Sequence, residues 1–515
     1  MLKSLCLAAL AVACLGCGAA QAATAPHICN VRDFGAAGDG ATLDTKAIQA
    51  AIDSCASGGG GTVLFDAGTY VSGTILLKSH ITLRLDQGAV LQGSHDISQY
   101  LPGSTFGLAR DYGTDIAGEG TLAGLVVGYN VTDVGIEGPG VIDGQSDAFM
   151  SQTIHAPHDY DPANVRNPAA FEPAMHNPDY GPFEPVASGR PGVLILLFHA
   201  TDVTLHGFNL RNSPNWTLVL MDMHRATVSD FSIIDNPLMP NNDGIDCMSC
   251  HDVHISTGTI RTGDDDVVLV NSDDVTVTGL SMYSRSAAVR LESTQRAVLS
   301  GLTIDSNRGL AVFASRQISR PTDGVLFSNI VMRTHLMPGH WWGKAEPIYI
   351  SVQPCDGPCG PRVRNVTFSN IEADAEAGVM LGGVRDSPLE GVELRDIRLR
   401  MVAPDANLAD AIGGNFDSRW TAADPSQGIV KHDVPAVWCT SVKNLTLRDV
   451  EIDWGAGVPA YSQAAVACDG YDGVTLDGVT ETGTPPKGET SLDMRNGSGL
   501  VTDRLRLAHP AVRKH

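Results

Sequence analysis

Apolar and polar positions along this chain alternate with a period of two, in a unit that keeps returning: apolar-x-apolar-x-(Gly, Asp or Asn)-apolar-x-apolar. Copies begin at Val203, Ala226, Val253, Val275 and Ala297, and again at Val325, Val366, Val392, Leu445 and Val474. A period of two is that of strands, where successive side chains face opposite ways. The turn residue in fifth place bends each copy into two short strands. A unit this small cannot bury its apolar face alone, but a stack of units can. A spacing in the low twenties suits one coil of a parallel β-helix. The leucine-rich repeat lacks its Leu-x-x-Leu-x-Leu signature here, and a propeller blade needs about forty residues. The fold expected is all-β, a parallel β-helix.

Two stretches lack this rhythm, Gln145 to Arg190 and Ala403 to Val434. Both read as long loops projecting from the coils, as binding walls or as plain surface. Near the amino terminus, Asp44 to Cys55 sets Ala47, Ile48, Ala51 and Ile52 at helical spacing. One amphipathic helix there predicts a cap on the open end of the stack.

Residues 1–22 read as a signal peptide: Lys3, an apolar run from Leu5 to Leu15, and Ala20-Gln21-Ala22 before a mature start at Ala23. A lipoprotein signal at Cys14 or Cys17 is the weaker alternative. The rest, 23–515, is expected to be one β-helix domain, secreted or periplasmic, without a membrane span and monomeric. Eight cysteines remain after the signal, and the even number suggests disulfides in sequence order: Cys29 with Cys55, Cys247 with Cys250, Cys355 with Cys359, Cys439 with Cys468. Cys247-x-x-Cys250 and Cys355-x3-Cys359 as halves of a zinc site is the alternative, without histidines at matching spacing. A formal net charge of −23 argues against nucleic acid and repels a strongly anionic polymer at long range.

The candidate chemistry lies in two segments 21 residues apart, one coil. Asp243 lies in Asn241-Asn-Asp-Gly-Ile-Asp246, and Asp264 and Asp265 in Gly263-Asp-Asp-Asp266. Coils stack about 4.8 Å apart, so equivalent positions become neighbours. Clustered carboxylates raise one another's pKa, leaving one protonated while another ionises, as glycoside hydrolysis requires. Asp264 and Asp265 can share a cleft only if Gly263 permits a bend. A simple Asp-Gly turn, a solvated corner or a calcium site would also account for these residues.

Asp33-Phe-Gly-Ala-Ala-Gly-Asp-Gly40, with Asp44-Thr and Ala47-Ile-Gln, resembles the amino-terminal signature of the pectate lyase and polygalacturonase superfamily. Gly59-Gly-Gly-Thr62 through Ser79 and Gly88 to Ser94 extend it. Ser213-Pro-Asn-Trp216, Asn241 to Asp246 and Gly263-Asp-Asp265 resemble family 28 glycoside hydrolases, the polygalacturonases, over about residues 30 to 330. The resemblance implies a right-handed β-helix and hydrolysis with inversion, needing no cofactor or metal. It implies Asp264 as general acid and Asp243 and Asp265 as activators of water. The family's Gly-His-Gly segment is replaced by Ser284-Arg-Ser286, with Arg285 near the histidine's place. Its Arg-x-Lys pair is replaced by Ala311-Val-Phe313. A galacturonan- or rhamnogalacturonan-related polysaccharide or oligosaccharide is the expected substrate.

Replacement groups suggest themselves. Alternation puts Arg290 and Glu292 on one face, where Arg290 can hold a sugar carboxylate or merely pair with Glu292. Trp341, Trp342 and Lys344 can form a sugar-stacking wall, or the tryptophans can be buried anchors. With Asn241 and Arg285 these make up the candidate substrate-binding set. His199, His206, His251 and His254 read as structural. A polysaccharide lyase on the same scaffold and a non-catalytic carbohydrate-binding solenoid are the rival functions.

Overall fold

The computed structural model describes residues 27–106, 123–154, 165–316, 320–355, 359–417, 429–485, 490–509 and 512–514. The expected signal peptide lies outside them. One sheet of 31 strands, paired in parallel from coil to coil, winds through the described chain. Parallel strands joined by crossovers wind right-handed, and the architecture is a right-handed parallel β-helix.

The repeat copies stack in register as their spacing predicts. Val203 pairs with Ala226, Ala226 with Val253, Val253 with Val275, Val275 with Ala297, Ala297 with Val325, and Val325 with Val366. Leu445 pairs with Val474 further on. The fifth position is a left-handed corner on every coil: φ is 65° at Gly207, 52° at Asp230, 66° at Gly279, 56° at Asn329 and 53° at Asp396. Gly, Asn and Asp tolerate that conformation, which is why they recur there. Between corners the apolar positions point inward. Val275, Val277, Leu280 and Met282 are buried, as are Ala297, Leu299, Leu302 and Ile304 one coil on. Burying each large aliphatic side chain contributes about 1.5–3 kcal/mol. Like side chains stack directly, as Phe327 and Phe368 do at 4.9 Å with parallel rings.

The helix Thr45–Ser57 caps the amino-terminal end with Ile48, Ala51, Ile52 and Cys55 buried. The carboxylate of Asp44 accepts N–H groups of Ala37 (2.7 Å) and Gly38 (3.0 Å), so the amino-terminal signature ties a turn to the cap. No helix among the described residues is long and apolar enough to cross a membrane.

Two expectations need correction. The arrhythmic stretches are not bare loops. They carry the helices Pro168–Met175 and Ala406–Ala411 and two small antiparallel pairs, Met150–Ile154 with Phe183–Pro185 and Asn415–Asp417 with Ile429–Lys431. Of the four disulfides, Cys355–Cys359 and Cys439–Cys468 form, whereas Cys29, Cys55, Cys247 and Cys250 are buried thiols. Cys247 stacks between Leu220 and Leu269, in a ladder position that wants a small apolar group. Cys439 and Cys468 are direct partners on adjacent coils.

Candidate active site

Asp243 and Gly263 to Asp265 lie in the corners just before the strands Ile245–Met248 and Val267–Val270. Because Asp264 and Asp265 precede the strand, facial alternation does not separate them. Two glycines allow the corners to nest. A Cβ on Gly263 would meet the Met239 carbonyl at 2.7 Å, and one on Gly244 would meet the Asp266 carbonyl at 2.5 Å. Gly263 thus stands at a bend, as expected, and also serves close approach of two chain segments. Asn242 clamps the nest: its Oδ1 accepts the N–H groups of Gly263 (2.9 Å) and Asp264 (3.2 Å), and its Nδ2 donates to the Asn236 carbonyl (2.7 Å). The backbone N–H of Gly244 donates to the Asp265 carbonyl at 2.9 Å.

Carboxylate oxygens of Asp243, Asp264 and Asp265 come within 4.8 Å of one another. The three residues are 4%, 7% and 7% exposed. Burial, more than mutual repulsion, pushes all three pKa values up. Their surroundings differ. Asp264 is pushed up to about 7, by burial and then by the charge of Asp265, against hydrogen bonds from the Ser286 hydroxyl and the Asn241 N–H. Asp265 has Arg290 at 4.0 Å and accepts the Ala287 N–H at 3.0 Å, both of which favour its ionised form. Asp243 is raised too, by burial and then by the charges of Asp264, Asp246 and Asp265, and its Oδ1 has no hydrogen-bond partner among the described residues. A carboxylate with a cation, an acid and an unpartnered oxygen therefore face one another.

Further residues, not singled out in the sequence, complete the cluster. Asp246 is buried one strand position inside Asp243, raised by burial, with Arg290 opposing that rise. Arg190 donates to the carbonyls of Pro214 (2.9 Å) and Pro240 (2.6 Å) and to Asn241 Oδ1 (3.0 Å), and its charge faces Asp243 and Asp264. Nothing in the linear sequence connects Arg190 to residues fifty positions on. Ser213-Pro-Asn-Trp216 proves to be support: Asp235 accepts from Ser213 N–H (2.7 Å) and Thr217 Oγ1 (2.6 Å) beneath the site.

The candidate substrate-binding set divides. Asn241 and Arg290 adjoin the carboxylates. Trp342 is half-buried, and its N–H reaches Ser286 Oγ at 3.3 Å. The others turn elsewhere. Arg285 donates to the Tyr180 carbonyl (2.6 Å) and sits over the Trp341 ring, so it does not stand among the acids. Trp341 is buried with its Nε1 on the same carbonyl, an anchor and not a sugar platform. Glu292 is buried and accepts the Ser315 N–H at 2.7 Å, farther along the strand than Arg290. Lys344 is buried and donates to the Gly343 carbonyl.

The three acids are also close enough to ligate a cation. The guanidiniums of Arg290 and Arg190 beside them oppose one, and calcium wants six to eight oxygens. His27, Cys29 and Cys55 form a second cluster of ligand-type groups, but Cys29 faces Nε2 of His27 and Cys55 faces Nδ1. One ring cannot turn both nitrogens to one ion.

Residues 190–411 match the family glycosyl hydrolases family 28, and residues 28–101 match the rhamnogalacturonase A/epimerase, pectate lyase-like family. This central part of the chain is similar to glycosyl hydrolase family 28. It is 31% identical to a probable polygalacturonase of Vitis vinifera over 51% of this chain and 48% of that protein, so the match spans about half of that relative. An endo-polygalacturonase of Pectobacterium carotovorum subsp. carotovorum is 26% identical over 69% of this chain and 84% of that one. The solved polygalacturonase from Erwinia carotovora ssp. carotovora superposes with a TM-score of 0.55 at 21% identity, covering 73% of this chain and 94% of that one, and attests the fold. These likenesses agree with the residues quoted for the resemblance.

Proposed function

We propose that this protein is an exported glycoside hydrolase that cleaves a pectin-type polysaccharide, using Asp264 as general acid and Asp265 as the base that activates water. The observation that carries this reading is the unequal environment of adjoining carboxyls. Asp264, pushed up to about 7, keeps its proton in mildly acidic solution, while Asp265 has Arg290 beside it. The proton of Asp264 goes to the leaving glycosidic oxygen as that bond breaks, and Asp265 takes a proton from the attacking water. Asp243, with a buried oxygen that has no hydrogen-bond partner among the described residues, positions that water by hydrogen bonding. This role is narrower than the shared base implied by resemblance, because Asp265 is the carboxyl with Arg290 beside it. Arg290, beside the acids, is the group that can also meet a sugar carboxylate, on a chain whose net charge of −23 otherwise repels one.

The direct experiment is release of reducing ends from defined pectic substrates by purified protein, with ultraviolet absorbance followed in parallel. New reducing ends without absorbance support hydrolysis. Absorbance from a conjugated double bond establishes elimination and removes the hydrolase. The oxygens lie closer than the roughly 6.5–9.5 Å of a two-carboxylate inverting pair, so the anomeric form of the first product, read by NMR, decides stereochemistry. Inversion is expected with three carboxyls, since the water is held to one side of the acid. A chelator should leave turnover unchanged.

A further inference from the structure

The outward-facing column of the sheet that floors the site runs Leu196, Val219, Asp246, Val268, Arg290, Ala311, Tyr349, Met380 and Trp438, one residue per coil. Outward positions on a solenoid are normally wet. Here most are covered, and by different parts of the chain at the two ends. On the amino-terminal side Leu196, Phe198, Val219 and Met221 are buried beneath Leu101, Phe106 and Ala123. On the carboxyl-terminal side Ala311, Phe313, Tyr349 and Met380 are buried beneath Phe171, Met175, Leu336, Ile412 and Phe416. Between the two covers lie the strands of Asp246, Val268 and Arg290, where Asp246 and Val268 are themselves buried and Arg290 keeps some exposure beside the acids.

From these coverings we infer that the trough is closed at both ends along the helix axis, so that a polysaccharide enters by a chain end and is not cut in its interior. The inference rests on the hydrolase reading above. Four inter-strand steps of about 4.8 Å separate Val219 from Ala311, roughly 19 Å between backbone positions, less the side chains that fill both margins. That holds a few sugar rings and no continuing chain. The carboxyl-terminal wall begins on the coil of Ala311 and Phe313, where the family resemblance would place a basic pair, so apolar cover replaces open binding groove there.

The wall is tied down. Arg308 lies over the Tyr349 ring at 3.7 Å and pairs with Glu346 (3.3 Å) and the Asp417 carboxylate (3.2 Å), all buried. The Gly343 N–H donates to Asp417 Oδ2 at 2.8 Å, and the Tyr349 hydroxyl donates to the Asp417 carbonyl. Asn167 reaches Asp410 at 2.6 Å, and Arg166 reaches the His432 carbonyl at 2.5 Å, so the inserted segments brace one another. Breaking such a buried network leaves uncompensated charges, which is costly, so the wall stays shut.

The test is the product pattern of the wild-type protein on polygalacturonate and on size-defined pectic oligosaccharides. One short product from the earliest time, with viscosity nearly unchanged and kcat/KM per chain independent of chain length, is expected. A ladder of intermediate sizes with early loss of viscosity would overturn the closure while leaving hydrolysis standing. No new reducing ends from any substrate would instead bring down the hydrolase reading itself. Replacing residues 405–416 by a short Gly-Ser linker removes Ile412 and Phe416 from the cover and should open the wall, raising viscosity loss per bond cleaved several-fold. A folded variant that still yields only the single short product shows that this wall is not what closes the trough, and should the variant not fold, the wild-type pattern decides alone.

Discussion

The molecule holds two populations of aspartate that differ in nothing but place. On the outer faces, Asp202 is gripped by Arg225 at 2.6 and 2.9 Å, Asp274 by Arg296 at 2.7 and 2.9 Å, and Asp477 by Arg504 at 2.6 Å. Hydrogen bonds from those arginines hold each carboxyl below its usual pKa. In the trough, Asp243, Asp264 and Asp265 are buried with too little cation to go round, and all three are raised. The outer pairs are rungs between coils, solvated on every side, and contribute little to stability. On the proposed mechanism, the inner cluster is kept at a cost because chemistry needs an acid that stays protonated beside a base that does not.

The comparison breaks most visibly at Asp264. Asp264→Asn removes the proton donor while preserving shape, and sugar release should fall about 10²- to 10⁴-fold, less on substrates with activated leaving groups. Unchanged turnover would take Asp264 out of the reaction. Arg290→Gln comes next. It removes the cation that favours ionised Asp265, so the acidic limb of the pH–rate profile should move to higher pH as kcat/KM drops. An unmoved limb would sever the link between Arg290 and the base.

The pH dependence of the native protein sharpens the contrast further. Activity should fall as pH rises through about 7, where Asp264 loses its proton. The stability effect has the same sign. A carboxyl raised from 3.8 to about 7 binds more protons folded than unfolded between those values, so stability should decline from pH 4 to pH 7. Thermal melts of Asp264→Asn should show a shallower decline than wild type over that window. The smallest effect belongs to the outer population. Asp274→Asn should leave activity unchanged and shift Tm hardly at all, and a large loss would mean that the rungs matter more than their solvation allows.

The repeat was legible because period-two alternation and a left-handed corner are local properties. Gly207, Asp230 and Asn329 announce their corners by residue type alone. The carboxylates were legible through one-coil spacing and the quoted motifs. The rest depended on contacts across long separations. Arg190 meets Asn241, and Arg308 meets Glu346 and Asp417, only after coils and inserts have closed. Trp341 and Lys344 looked like binding groups because aromatic and basic residues suit sugars, and burial reassigned them to the wall. The cysteine count misleads: an even number suggests four bridges, but Cys247 occupies a ladder position as a small apolar group and the buried Cys250 thiol donates to the Leu220 carbonyl.

What the amino-acid order determined by itself is the coil, its register and the juxtaposition of Asp243 with Asp264 and Asp265. These follow from alternation and from a repeat length set by covalent geometry. Tertiary structure alone decided that these carboxyls are raised and which outward positions of the sheet are covered. Both depend on what covers the sheet face, and burial is a property of many distant segments packed together.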